Sequence, residues 1–80
     1  MSSPFQEEVT AELEKARSKF GPMNSYHEGA AVIFEELNEF WEHARAWKGV
    51  REENREALQE LVQIAAMAQR AAEDLGLIGR

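Results

Sequence analysis

An 80-residue chain has room for one domain, close to the size at which a single core is barely sufficient. It has no cysteine, which excludes disulfides and thiolate metal sites, and its formal net charge of -6 argues against a sequence-independent binder of nucleic acid polymers. No apolar run approaches the roughly 18 residues of a membrane span, and the acidic N-terminal stretch through Gln6, Glu7 and Glu8 lacks a signal-peptide core, so a cytoplasmic protein without a membrane partner is expected.

Ser3-Pro4-Phe5-Gln6 reads as a helix start, with serine as N-cap, proline at the first helical position and glutamine three residues after the cap. Phe5, Val9, Leu13, Ala16 and Phe20 recur at helical spacing as one apolar stripe, and Gly21-Pro22 stops it, which predicts a helix over 4–20. Ser25-Tyr26-His27-Glu28 is a second capping box. Behind it Ala30, Ile33, Leu37, Phe40 or Trp41, Ala44 and Trp47 keep helical spacing toward Gly49, which predicts a helix over 25–48. After the turn Lys48-Gly49-Val50-Arg51, a third helix is predicted over 52–75, ended by Gly76. No strand alternation, repeat or linker interrupts the pattern, so the fold class is all-α, one three-helix domain over residues 1–80.

From Leu61 to Ala68 the third helix is apolar at every position except Gln63. A helix apolar nearly all round must be covered on most sides, and two further helices from so short a chain do not suffice. Homo-oligomerisation, as a homodimer or a homotetramer, is therefore expected to complete the bundle. Ala65, Ala66, Ala68, Ala71 and Ala72 would allow close helix approach.

Side chains three apart on a helix share a face, so Glu36 and Glu39 can aim two carboxylates at one point. On a projection of about 100° per residue, both flank the apolar stripe of their helix, with Val32 and His43 beside them. Glu60 and Gln63 repeat the spacing on the next helix, and a buried amide such as Gln63 needs partners. Oxygen-only clusters of this kind suit hard cations, Mg²⁺ first. The plain alternative is a set of solvated surface carboxylates on a helical association domain, in a chain with 15 acidic residues.

Glu35-Glu36-x-x-Glu39, followed by Glu60-x-x-Gln63 within Glu60-Leu61-Val62-Gln63-Ile64-Ala65-Ala66-Met67-Ala68, resembles the MazG-like family of all-α nucleoside triphosphate pyrophosphohydrolases. That family's motif is E-E-x-x-E and, on the following helix, E-x-x-D, and the resemblance spans roughly Tyr26 to Leu75. It implies a bundle of two or more subunits in which Glu36, Glu39 and Glu60 hold Mg²⁺, or Mn²⁺ in its place. Glu35 would take a second ion or orient the attacking water, giving a catalytic set of Glu35, Glu36, Glu39 and Glu60. The implied reaction is attack of water on a nucleoside triphosphate, releasing the monophosphate and pyrophosphate, as in house-cleaning of non-standard or surplus (deoxy)nucleotides.

The fourth metal ligand departs from the family's pattern, since Gln63 stands where aspartate is expected. A glutamine carbonyl can ligate Mg²⁺, directly or through water, with one charge and one acceptor oxygen fewer. The substitution points to weaker metal binding, altered geometry, or a catalytically reduced member acting as a nucleotide-binding or protein-interaction module. Glu56, four residues before Glu60, could compensate. For substrate phosphates the candidates are Lys48, Arg51 and Arg55, and for the base Tyr26, Asn38, Trp41 and Trp47. His27 and His43 lack the Glu-x-x-His spacing of di-iron bundles, and the chain has no glycine-rich phosphate loop and no Ser/His/Asp set.

Overall fold

Three polar side chains start the three helices. Ser3 Oγ accepts from the Gln6 backbone N–H at 3.1 Å, Ser25 Oγ from Glu28 at 3.0 Å, and Asn54 Oδ1 from Ala57 at 3.0 Å. Each satisfies a donor left open by the first helical turn, worth about 1 kcal/mol. A computed structural model describes residues 2–79 and contains α1 (Pro4–Lys19), α2 (Tyr26–Ala46) and α3 (Arg55–Asp74). No strand is present among the described residues, and none of these helices is long and apolar enough to cross a membrane.

The helix ends differ in detail from the sequence reading. At Ser3 the full capping box forms, with Gln6 Oε1 accepting from the Ser3 N–H at 3.1 Å. At Ser25 only half of it does, because Glu28 Oε1 reaches one residue further back, to the Asn24 N–H at 2.6 Å. α2 stops at Ala46, two residues before the expected end, as Trp47 turns extended and its indole N–H donates to the Val50 carbonyl at 3.0 Å. α3 begins at Arg55 instead of 52 because Asn54 is the side chain that caps it. Its end is a Schellman turn: Leu77 N–H donates to Ala72 O and Gly76 N–H to Glu73 O, with Gly76 at φ +73°.

α3 is the central element, since α1 and α2 both pack on it and not on each other. Cross-helix partners set the directions. Glu8 meets Arg55 and Glu12 meets Gln59, so α1 runs parallel to α3. Gly29 lies against Ala71 and Glu36 against Gln63, so α2 runs antiparallel to it. The core is Val9, Leu13 and Ala16 from α1, Met23 from the connection, and Val62, Ala66, Met67 and Ala71 from α3. α2 contributes Gly29 to it, with Val32 and Ile33 half-buried.

Charge closes the far end. Asp74, whose side chain is fully buried, accepts from Arg17 Nη1 at 2.8 Å and from the Met23 N–H at 3.0 Å, while Arg17 Nη2 reaches Glu73 at 2.7 Å. Arg70, 7% exposed, donates to the Gly21 carbonyl at 2.8 Å and lies 3.6 Å from Asp74 and 5.6 Å from the Phe20 ring centroid. One carboxylate thereby ties α1, the α1–α2 connection and α3 together, and removing a partner from such a buried network typically costs about 3–5 kcal/mol.

The apolar side chains of α2 divide in a way the sequence reading did not anticipate. Gly29, Ile33, Phe40 and His43 turn toward α3, whereas Ala30, Phe34, Leu37, Trp41 and Ala44 form a separate, exposed seam at spacings of four and three residues. Leu37, Trp41 and Trp47, expected in the core stripe, are therefore at the surface, as is Tyr26. Leu61 and Ala68 of α3 are exposed as well. By helical projection they continue the seam on the same side of the molecule. The chain exposes 6129 Å², about 1,200 Å² more than a compact monomer of its mass. Its radius of gyration, 13.7 Å, exceeds the roughly 11.6 Å of a compact 80-residue domain.

Candidate metal centre

The antiparallel register of α2 on α3 determines which polar groups meet. With Gly29 opposite Ala71, the chain positions of paired residues sum to about one constant, and Glu36 faces Gln63 while Glu39 faces Glu60. Glu36, Glu39 and Glu60 each bring a carboxylate oxygen into one group whose members lie within 4.8 Å of one another. Glu36 and Glu60 are half-buried and Glu39 is exposed, so the cluster opens to solvent on one side. This is the convergence expected from the two motif segments.

Gln63 is bound into the cluster as a donor. In the amide orientation that satisfies its neighbours, Nε2 donates to Glu36 Oε2 at 2.7 Å and to Glu60 Oε2 at 3.3 Å. The amide thus bridges the two helices and partly offsets the repulsion among the three carboxylates. It also lies one half-rotation from presenting Oε1 to the same space.

The carboxylates perturb one another. Partial burial, then the charges of Glu39, Glu35 and Glu12, push the Glu36 carboxyl up to about 7. Partial burial, followed by a hydrogen bond with Glu39 and the charges of Glu39, Glu36 and Glu56, raises Glu60 to about 7 as well. Three carboxylates that repel, two of which, Glu36 and Glu60, hold their protons to near neutrality, form a hard-donor set that a divalent cation would relieve.

The remaining candidates are distributed around this centre. Glu35 and Glu56 are exposed and outside the three-carboxylate group, though each is near enough to raise a member's pKa. Arg55 is committed to Glu8 of α1 at 2.9 Å. Lys48 and Arg51 are exposed on the α2–α3 loop. Trp47 and His43, with Phe40, Ala44, Val50 and Ala57, line a hollow of about 430 Å³ under that loop, one helical turn beyond Glu39. Trp41, Asn38, Tyr26 and His27 face solvent away from it.

Sequence reasoning missed the contribution of α1. Glu12, Lys15, Lys19 and Phe20 form the opposite wall of a groove of about 240 Å³ whose other side carries Glu36, Gln63 and Met67. The motif segments lie entirely on α2 and α3, and Phe20 read as the last residue of a core stripe. Only the parallel packing of α1 along α3 brings these side chains to the site. No protein-family model, curated protein or solved structure matches this chain.

The raised carboxyls have a consequence for stability. A folded pKa near 7 against an ordinary 4.5 means that the folded chain holds these protons more tightly than the unfolded one. Their contribution is full below pH 4.5 and is lost as pH rises through about 7. We expect the melting temperature of the metal-free protein to rise by a few degrees between pH 8 and pH 6, and Glu36→Gln to flatten that slope. Calorimetric melts across this range check it, and an unchanged slope in the variant would count against the coupling.

Proposed function

We propose that this chain is a divalent-cation-dependent nucleoside triphosphate pyrophosphohydrolase, with Mg²⁺ the natural ion and Mn²⁺ a substitute, acting on non-standard or surplus (deoxy)nucleotides. The observation that carries this reading is the meeting of Glu36, Glu39 and Glu60 from two antiparallel helices within 4.8 Å. Those residues stand at the spacing of the MazG-like motif, which supports the reading independently of the geometry. The donor set fits the ion: carboxylate oxygens, clustered without a basic residue among them and destabilised by their own charge.

Glu36, Glu39 and Glu60 would hold the cation, and Gln63 would offer Oε1 as a neutral fourth oxygen once its amide turns. When bound, the cation supplies charge neutralisation for phosphate oxygens and acidifies water. Glu35, exposed beside Glu36, is the group left to orient the attacking water and accept its proton. The water oxygen bonds to the α-phosphorus as the bond to the bridging oxygen breaks, and pyrophosphate leaves. The hollow lined by Phe40 and Trp47 offers apolar, aromatic walls for the nucleoside.

A second reading is favoured by one residue. With Gln63 as a donor to the carboxylates in place of an acidic ligand, the chain would bind nucleotide or a protein partner with little or no turnover. Pyrophosphate release, assayed with Mg²⁺ across standard and modified (deoxy)nucleotides, separates the two. We expect release from at least one triphosphate, and a fall of about a hundredfold or more in kcat/KM for Glu36→Gln and Glu39→Gln. A wild type that binds without turnover, but gains activity in Gln63→Asp, would establish the second reading.

The bundle is completed, in this proposal, by a second copy of the chain over the seam of α2 and the exposed residues of α3. The surplus exposure of about 1,200 Å² compares with the roughly 800 Å² that each partner buries in a stable interface. Light scattering should give at least twice the monomer mass, and Leu37→Glu combined with Trp41→Glu should reduce it to 9.1 kDa. A monomeric wild type would refute the assembly.

A further inference from the structure

The motif residues account for one wall of the groove and leave the α1 wall without a role. Lys15 and Lys19 line that wall, one helical turn apart, opposite Glu36 and Gln63. Like charges four residues apart repel, although the negative end of the helix dipole favours cations in the last turn of α1. Most other basic residues are already engaged: Arg17 with Glu73 and Asp74, Arg45 with Glu42, Arg55 with Glu8, and Arg70 with Asp74. Among the described residues, Lys15, Lys19, Lys48 and Arg51 are the cations with no acidic partner. Of these four, Lys15 and Lys19 share a groove with the metal-centre residues.

The two walls call for opposite things. The Glu36 side calls for positive charge and the α1 side, where Lys15 and Lys19 outnumber Glu12, for negative charge, and a single ligand carrying both is a polyphosphate chain complexed with a divalent cation. At about 240 Å³ the groove is smaller than the roughly 300 Å³ or more that encloses a drug-sized ligand. It therefore suits a phosphate chain with the remainder of the molecule outside. We propose that Lys15 and Lys19 bind the phosphate chain of the ligand across the groove from the cation held by Glu36, Glu39 and Glu60. This rests on the metal reading above and reassigns the phosphate contacts from Lys48, Arg51 and Arg55 to α1.

Isothermal titration of the full chain with Mg²⁺ alone, and then with inorganic triphosphate in saturating Mg²⁺, tests the assignment. Wild type should bind both. Lys15→Gln combined with Lys19→Gln should weaken triphosphate binding by about tenfold or more and reduce its salt dependence. The same variant should bind Mg²⁺ alone as tightly as wild type or more so, because two positive charges beside the carboxylates are gone. Lys48→Gln with Arg51→Gln should stay within about twofold of wild type, as expected of screened charges outside the groove. Unchanged triphosphate binding in the Lys15/Lys19 variant overturns the proposal, as does a wild type that takes Mg²⁺ but no triphosphate; both leave the metal reading standing. Failure of wild type to bind Mg²⁺ at all overturns the metal reading, and the proposal with it.

Discussion

Glu39 and Glu60 meet because α2 lies flat on α3 in one register, with Gly29 of its first turn against Ala71. A Cβ at that position would stand 3.4 Å from the Ala71 Cβ and 3.6 Å from Met23 Sδ. A Cβ alone is at ordinary contact distance, so the close approach here leaves room for alanine and little beyond it. The register is then carried down the pair: Gly29 on Ala71, Glu36 on Gln63, Glu39 by Glu60. The buried Asp74 reinforces it by fixing the α1–α2 connection to the end of α3 through Met23, and α1 through Arg17. The packing at one end of the helix pair and the carboxylate cluster about two turns away thus share one register.

The cluster so formed is electrostatically uncomfortable, and its surroundings do little to ease it. Arg17, Arg45, Arg55 and Arg70 are used elsewhere, at Asp74, Glu73, Glu42 and Glu8. The Gln63 amide donates into the group from the position where a fourth carboxylate would add to the repulsion. A glutamine there makes the metal-free cluster easier to tolerate and the metal-loaded one less strongly charged. That single exchange of an oxygen for an amide is the physical basis for expecting a weaker site than one with four carboxylates.

Much of this was legible in the sequence because it depends on local chemistry. Ser3 and Ser25 are recognisable as capping residues and Gly76 as a helix end, and the three-residue spacing of Glu36/Glu39 and Glu60/Gln63 puts each pair on one face. What was not legible depends on packing between segments. The α2 residues offer two overlapping apolar stripes, and periodicity alone cannot say which faces α3. The stripe with Gly29 and Ile33 packs on α3, leaving Phe34, Leu37 and Trp41 outside. Likewise nothing in α1 announces that Lys15 and Lys19 share a groove with Glu36 and Gln63, or that Glu8 takes Arg55, since both follow from α1 running parallel to α3.

The claim on which the functional reading stands is that three carboxylates from two helices hold one divalent cation. Anomalous diffraction from crystals grown with Mn²⁺ addresses it most directly. We expect a single strong peak in contact with Glu36, Glu39 and Glu60, with the Gln63 amide turned so that Oε1 faces the ion. Carboxylates splayed apart with no peak between them, in crystals containing millimolar Mn²⁺, would contradict it.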